Sequence, residues 1–478
     1  MSEHVALIEH LVAMHRPTTR CLDVLDSRDG TVFARVGDVA VDEVDQYVLR
    51  ASRAMSEWGE LTVHARANVL RAVGDFLEEH VEAIAPILTL ENGKVLDHAR
   101  WEVLNGAEIF RWMGEQARAV RGSVRHGAAP GQRVDVDRRP AGVVLAVTPW
   151  NFSLSLVARK VATGLAAGCA VVVKPSEITP LGALVIEHAL LECGAPRDLC
   201  AVVPTSEPAE LVERMLAHPD VPMLTFTGST VVGRHLSELA ARHLKIAHLE
   251  LGGNAPFIVL DADAVDAAID GLMFAKLLNS GQTCTAPNRV LVHESCADLF
   301  LDRLAGQVTR LRTGDGTDPR SDLGPLISGA AAERARARVR EAEAQGARVV
   351  CRGVAADGGT DAFFEPVVLD GVEPGMAVYA EENFAPIFPV TTFSTVGECL
   401  ELANRTRAGL AAYVYGSVPT ESAAVVDRLD FGLVGHNDVR IVQPSVPFSG
   451  WKESGHGIEL GELGLAEYTA VRSTVHRV

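Results

Sequence analysis

The sequence has no closely paired cysteines, a deficit of basic residues and no long apolar run. Its eight cysteines (21, 169, 193, 200, 284, 296, 351 and 399) form no Cys-x-x-Cys pair, so neither a zinc site nor a disulfide framework is indicated. Reduced thiols in a cytoplasmic compartment fit that usage. No stretch approaches the ~20 continuous apolar residues of a membrane helix. Met1 to Thr19 carries acids and histidines among its apolar residues and lacks the uninterrupted core of a signal peptide. Lys and Arg number 44 against 62 Asp and Glu, a formal charge of -18, which opposes attraction to nucleic acids and anionic membrane surfaces. Neither is expected as a partner.

What is present is the composition of a well-packed α/β enzyme, 47% apolar and 22% charged, over 478 residues, long enough for two large domains. From Val39 to Glu82 apolar residues recur at helical spacing, as in two amphipathic surface helices. Between Gly122 and Arg139 the texture turns polar and basic, with alternation at Val134-Asp135-Val136-Asp137, which reads as a hairpin arm leaving its domain. From Gly142 short apolar strands (143–147, 170–173, 201–203, 223–226, 245–250) alternate with helices (153–168, 180–193, 208–217, 230–243). Parallel strands need such crossovers, so a Rossmann-like dinucleotide-binding sheet covered on both faces is predicted. A second α/β series follows Gly252-Gly253, with strands at 257–260 and 289–293 and a long helix at 330–345; Ala355 to Thr360 reads as a loop.

Several segments carry chemistry. Gly281-Gln282-Thr283-Cys284 lies between a helix end and an apolar strand, a junction that exposes a thiol suited to adding to a carbonyl. A lone Cys is more often a small buried hydrophobe, and its companions decide the matter. Glu250, in Leu249-Glu250-Leu251-Gly252-Gly253-Asn254, ends a strand ahead of a glycine pair; it is either a structural acid or a base for activating water. Pro149-Trp150-Asn151-Phe152 follows a buried strand, where Asn151 either fixes a turn or aims its amide at a developing oxyanion. Phe226-Thr227-Gly228-Ser229-Thr230 is a strand end, a small-residue turn and a helix start, fit for an anion or simply an N-cap. Lys174-Pro175-Ser176-Glu177 closes another strand and offers ribose a carboxylate, or is a surface turn.

With these segments in this order the sequence resembles the aldehyde dehydrogenase superfamily over nearly its whole length. Glu381-Glu382-Asn383-Phe384-Ala385-Pro386 and Phe448-Ser449-Gly450-Trp451-Lys452-Glu453-Ser454-Gly455 add to the match. The resemblance implies that Cys284 is the nucleophile, Asn151 with the Cys284 backbone N–H the oxyanion donor, and Glu250 the general base. It implies that Lys174 and Glu177 hold the adenosine ribose, Ser229 the pyrophosphate, and Glu382 with Phe384 the nicotinamide ribose and ring; Trp150, Ser176, Gly228, Leu251 and Gly252 complete the expected cofactor site. The mechanism so implied runs through a thiohemiacetal and a thioester hydrolysed by Glu250-activated water, with no metal.

The expected architecture is α/β: a dinucleotide-binding domain (1–121 and 141–252), a catalytic domain (253–450) and a small β oligomerisation arm with the C-terminal segment (122–140 and 451–478). A homodimer or homotetramer is implied. Glu177 favours NAD over NADP, since a carboxylate beside the 2′-hydroxyl repels a 2′-phosphate, although Lys174 softens that preference. The sequence departs from the family pattern at Ala385, Ser449, Trp451 and Ser153, none of which removes a reacting group.

Arg159 resembles the distal-carboxylate grip of the succinate-semialdehyde branch, while Leu278 stands where that branch has a second arginine. Arg440 is a candidate replacement or an exposed surface arginine, and Phe448 a candidate substrate contact. A dicarboxylic semialdehyde and an aromatic or aliphatic aldehyde both stay open as substrates. Two other functions are kept: a CoA-acylating relative, against which Glu250 speaks, and a nonenzymatic structural descendant, against which the Cys284, Glu250 and Asn151 set speaks.

Overall fold

The computed structural model describes residues 3–14, 20–356, 358 and 360–477. Part of the Met1–Thr19 reading and two residues of the expected 355–360 loop, Asp357 and Gly359, lie outside them. The two predicted surface helices run Val44–Glu60 and Val63–Glu79, burying Val48, Ala51 and Trp58 on one and Leu70, Val73 and Leu77 on the other.

The elements that build the functional region are, in chain order, α1 (Leu96–Ala117), β1 (Val143–Val147), α2 (Ser155–Ala167), β2 (Ala170–Lys174), α3 (Leu181–Glu192), β3 (Cys200–Val202), β4 (Met223–Thr227), α4 (Thr230–Arg242), β5 (Ile246–Glu250), β6 (Ala255–Val259), α5 (Val265–Leu277), β7 (Pro287–His293), β8 (Val367–Asp370), β9 (Ile387–Phe393), β10 (Ala411–Tyr415), β11 (Leu433–His436) and β12 (Gly455–His456). Strands β1, β2, β3 and β4 are buried at every position, the pattern of a sheet covered on both faces. Their order, β3-β2-β1-β4-β5, is that of a dinucleotide-binding sheet, with crevices at the carboxyl ends of the strands. The fold predicted for this half is the fold observed, with ends shifted by a residue or two.

A second, seven-stranded sheet joins β8-β9-β7-β6-β10-β11, all parallel, to an antiparallel edge strand, Arg348–Arg352. Strands Ser123–His126 and Gln132–Pro140 form the expected hairpin, and Thr469–Arg477 pairs with the second of them along its full length.

The C-terminal stretch 451–478 divides between regions rather than staying with the arm. Trp451–Lys452 pairs with Ala408–Gly409, and β12 adds antiparallel to β5, opposite Leu249 and Glu250. Among the described residues no helix is long and apolar enough to cross a membrane.

Candidate active site

The carboxyl ends of the first sheet and the segments leading into β7 and β9 of the second face a cleft of about 990 Å³. Its lining includes the motif residues Trp150, Asn151, Gly228, Ser229, Leu251, Gly252, Cys284, Glu382 and Phe384, and also Trp101, Asn105, Trp112, Arg159, Phe274, Leu278, Arg440 and Phe448.

Cys284 follows a tight turn. Asn279 (φ 50°), Ser280 (φ 55°) and Gly281 (φ +79°) all adopt left-handed conformations, and a Cβ at Gly281 would meet the Ala385 carbonyl at 2.6 Å. Gly253 approaches the same loop so closely that a Cβ there would stand 2.1 Å from the Cys284 carbonyl oxygen. These two glycines let the nucleophile loop nest between the other motifs. Burial, with the Glu382 and Glu250 charges opposed by Arg159, pushes the Cys284 thiol up to about 12.

Asn151 projects from the loop after β1. Its Nδ2 donates to the Gln282 carbonyl at 3.0 Å, which occupies one of the two amide hydrogens and leaves the second for a ligand.

Glu250 ends β5 outside the cleft lining; its side chain is buried, and among the described residues neither oxygen has a partner at good hydrogen-bond geometry. Burial, reinforced by the Glu459 carboxylate, holds its carboxyl well above the ordinary range, against the opposing charges of Lys160 and Arg159. Lys160 is itself buried and ion-paired to Glu459.

The crevice fits a dinucleotide on its own geometry. Ser229 Oγ accepts the Val232 N–H at 3.4 Å and caps α4, leaving the Thr230 and Val231 N–H groups without helical acceptors at a positive dipole end. A Cβ on Gly228 would collide with the Phe226 ring at 2.4 Å, and one on Gly252 would crowd Glu382 Oε2 at 3.0 Å, so the floor accepts no side chain. Gly252 is strapped down by Ser454, whose Oγ donates to its carbonyl at 2.7 Å.

Glu382 Oε1 accepts the Gly253 N–H at 3.2 Å, and burial lifts its carboxyl to about 8 despite that bond and nearby Lys276. Trp150 and Phe384 meet edge to face, centroids 5.6 Å apart. Lys174, Ser176 and Glu177 lie at the carboxyl end of β2, outside the cleft lining, with Lys174 Nζ 3.0 Å from Glu177 Oε2.

The Arg159 guanidinium, also in the cleft lining, stacks over Phe448, 4.8 Å from the ring centroid, and is 7% exposed. Among the described residues it has no ion-pair or hydrogen-bond partner, and Nε is buried unbonded. Arg440 stands at the rim with its side chain 74% exposed and paired to Asp438.

Of the departures from the family pattern, Ser153 Oγ donates to Glu91, Ser449 Oγ donates to the Gly457 carbonyl, Ala385 is fully buried and Trp451 is half exposed. The sequence reading missed Asn105 and Trp112, whose spacing on α1 puts them on one helix face, and the buried charges Glu91, Lys94 and Glu102. Acids and a lysine set among the apolar residues of 83–103 were the available signal.

The aldehyde dehydrogenase family pattern matches residues 14–474. The chain belongs to the aldehyde dehydrogenase family. It is thus an oxidoreductase that acts on aldehydes with a nicotinamide dinucleotide, NAD or NADP, as hydride acceptor. The mitochondrial succinate-semialdehyde dehydrogenase of Arabidopsis thaliana is 38% identical over 453 residues, 95% of this chain and 85% of that one. The NADP(+) succinate-semialdehyde dehydrogenase of Escherichia coli is 36% identical over 451 residues, covering 94% and 93% of the two chains. The structure of betaine aldehyde dehydrogenase from Staphylococcus aureus in complex with NAD+ superposes with a TM-score of 0.93 at 30% identity, over 99% of this chain and 96% of that one.

Proposed function

We propose that the protein oxidises an aldehyde bearing a distal anionic group, a short semialdehyde, through a covalent thioester on Cys284. The observation that carries the substrate class is Arg159, a buried guanidinium in the cleft lining with no ion-pair or hydrogen-bond partner among the described residues. A desolvated cation is costly unless something anionic meets it, and a carboxylate matches its geometry. Leu278 lines the same cleft and offers no second cation, so one arginine does the work done by two in the branch it resembles.

Cys284 Sγ loses its proton and bonds to the aldehyde carbon. The Asn151 amide and the Cys284 backbone N–H hold the resulting oxyanion. Bound in the cleft, the dinucleotide supplies the hydride acceptor. Glu250 then takes a proton from the water that cleaves the thioester and releases the acid. For that step its side chain must swing from its buried position toward the sulfur. The free Thr230 and Val231 N–H groups and Ser229 hold the pyrophosphate, Glu382 the nicotinamide ribose, and Lys174 with Glu177 the adenosine ribose, which favours NAD.

The dinucleotide-binding region is 1–121 with 141–252 and the catalytic region 253–450. The hairpin with the C-terminal strand joins protomers into a dimer or tetramer in the cytoplasm. A panel of aldehydes followed by cofactor absorbance tests the substrate class: succinate semialdehyde should exceed butanal in kcat/KM by tenfold or more. Indifference to the distal carboxylate sinks this reading of the substrate.

A further inference from the structure

The loop that carries Asn151 is gripped by charged and polar groups that take no part in the chemistry described so far. The Asn151 backbone carbonyl accepts two hydrogen bonds, from Lys94 Nζ at 2.8 Å and Asn279 Nδ2 at 2.9 Å. The preceding carbonyl, of Trp150, accepts from Asn92 Nδ2 and Thr179 Oγ1, both at 3.1 Å.

Lys94 is completely buried and ion-paired to Glu102 on α1. Glu102 Oε1 in turn accepts the Leu154 and Ser155 N–H groups at 2.9 and 3.2 Å, at the start of α2. Glu91 takes the Ser153 hydroxyl at 2.7 Å and the first N–H groups of α3. The Lys94 ammonium also stands 4.4 Å from the centroid of the Phe152 ring. Residues 150–155 are therefore fastened to the segment 91–102.

The second donor, Asn279, belongs to the other half of the site. It sits in the left-handed turn that leads into Cys284, and its own N–H donates to His98 Nδ1 at 3.3 Å, again on the α1 side. The Asn151 carbonyl is thus where the oxyanion loop, the nucleophile loop and α1 meet. From the same residue the side-chain amide reaches Gln282, two positions before Cys284.

A buried ion pair is a poor source of stability compared with apolar residues of the same volume. Its use here is geometric: a charged donor makes a stronger, more directional bond to a carbonyl than a neutral one. Fixing the carbonyl fixes the peptide plane, and with it the direction of the Asn151 Cα–Cβ bond.

We infer that Lys94 is a positioning residue for the reaction: held by Glu102, it pins the Asn151 carbonyl and so aims the Asn151 amide at the oxyanion, in register with the Cys284 loop through Asn279. This rests on the oxyanion role proposed for Asn151.

The test is the double variant Lys94→Met/Glu102→Gln, which keeps the buried site neutral and leaves an oxygen to cap α2. Misaiming an oriented group typically costs about ten- to hundredfold in rate, so kcat falls by that factor. KM for the aldehyde and Kd for the dinucleotide stay within about twofold, as does the rate of Cys284 alkylation by iodoacetamide. In an Asn151→Ala background the same double change costs nothing further, because the group it aims is gone.

Unchanged kcat in the folded double variant overturns the inference, and so does a loss that multiplies with that of Asn151→Ala, the mark of a general scaffold. If Asn151→Ala alone leaves turnover intact, the oxyanion role falls and takes this inference with it. Asn279→Gly keeps the positive φ while removing the second donor; it shows the same kcat-specific loss, independently of whether the double variant folds.

Discussion

Asn151 and Gln282, 131 residues apart, are joined by one hydrogen bond of 3.0 Å that links the loop after β1 to the loop carrying the nucleophile. Because the amide spends one hydrogen on this bond, its second is directed rather than free to rotate. Asn151→Ala should therefore lower kcat by about a hundred- to thousandfold, the usual cost of one oxyanion donor, with cofactor binding unchanged. Steady-state kinetics alongside a fluorescence titration of the dinucleotide checks both halves.

Arg159 stacked on Phe448 leads to a substrate-dependent loss. Arg159→Leu should cut kcat/KM for succinate semialdehyde by roughly ten- to hundredfold, the worth of a hydrogen bond to a charged group. For butanal the same change should cost less than about threefold, since that substrate offers the guanidinium nothing. Equal losses on both aldehydes would show that Arg159 acts on the reaction centre instead.

The protonation states set the pH dependence. Cys284 is pushed up to about 12 by burial and neighbouring carboxylates, and Glu250 is likewise raised well above its ordinary range, chiefly by burial. Both must lose a proton to act, so each acts more readily as pH rises. The kcat/KM profile should climb from pH 6 through at least pH 9, with no acidic optimum. In Glu250→Gln the first-turnover burst of reduced cofactor should persist while steady-state turnover falls; a lost burst with normal hydrolysis would contradict the assignment.

Removing Lys94 alone strands the Glu102 carboxylate in a dry site. Lys94→Met should destabilise the protein by about 3–5 kcal/mol, the cost of breaking one side of a buried ion pair. Adding Glu102→Gln should recover most of it. Thermal melts of the two variants decide this separately from any kinetic effect.

Lys174 and Glu177 bear on cofactor choice. The pair stands 3.0 Å apart at the end of β2; burial alone would raise the Glu177 carboxyl, but Lys174 and the residue's own backbone N–H together more than offset it. Glu177→Gln should raise the ratio of kcat/KM for NADP to that for NAD by about tenfold, measured on one aldehyde. No change in that ratio would mean Glu177 does not read the 2′ position.

Much of the fold was legible in the sequence because β1 to β4 are fully buried strands punctuated by crossover helices, a periodicity that survives without knowledge of tertiary contacts. The reactive residues were legible through their motifs, and the structure brings Cys284, Asn151, Glu382 and Ser229 to one cleft. Glu250 was legible as a residue but not in its surroundings, since β12 pairs beside it and the Glu459 carboxylate acts on it from more than 200 positions away. Lys94, Glu91 and Glu102 were not singled out, because charges amid apolar residues read as solvated faces until the chain that buries them is known. Asn105 was hidden for a related reason: a lone amide on an amphipathic helix acquires meaning from the wall it faces.

The edge position of β12 also shapes how the protein is born. A ribosome releases β5, with Glu250, long before it makes Gly455 and His456, which border that strand, or Glu459, which stands beside its carboxylate. The emerging chain can complete the inner strands of the first sheet early, but the environment of Glu250 waits until residues 455–459, more than 200 positions later, have been made.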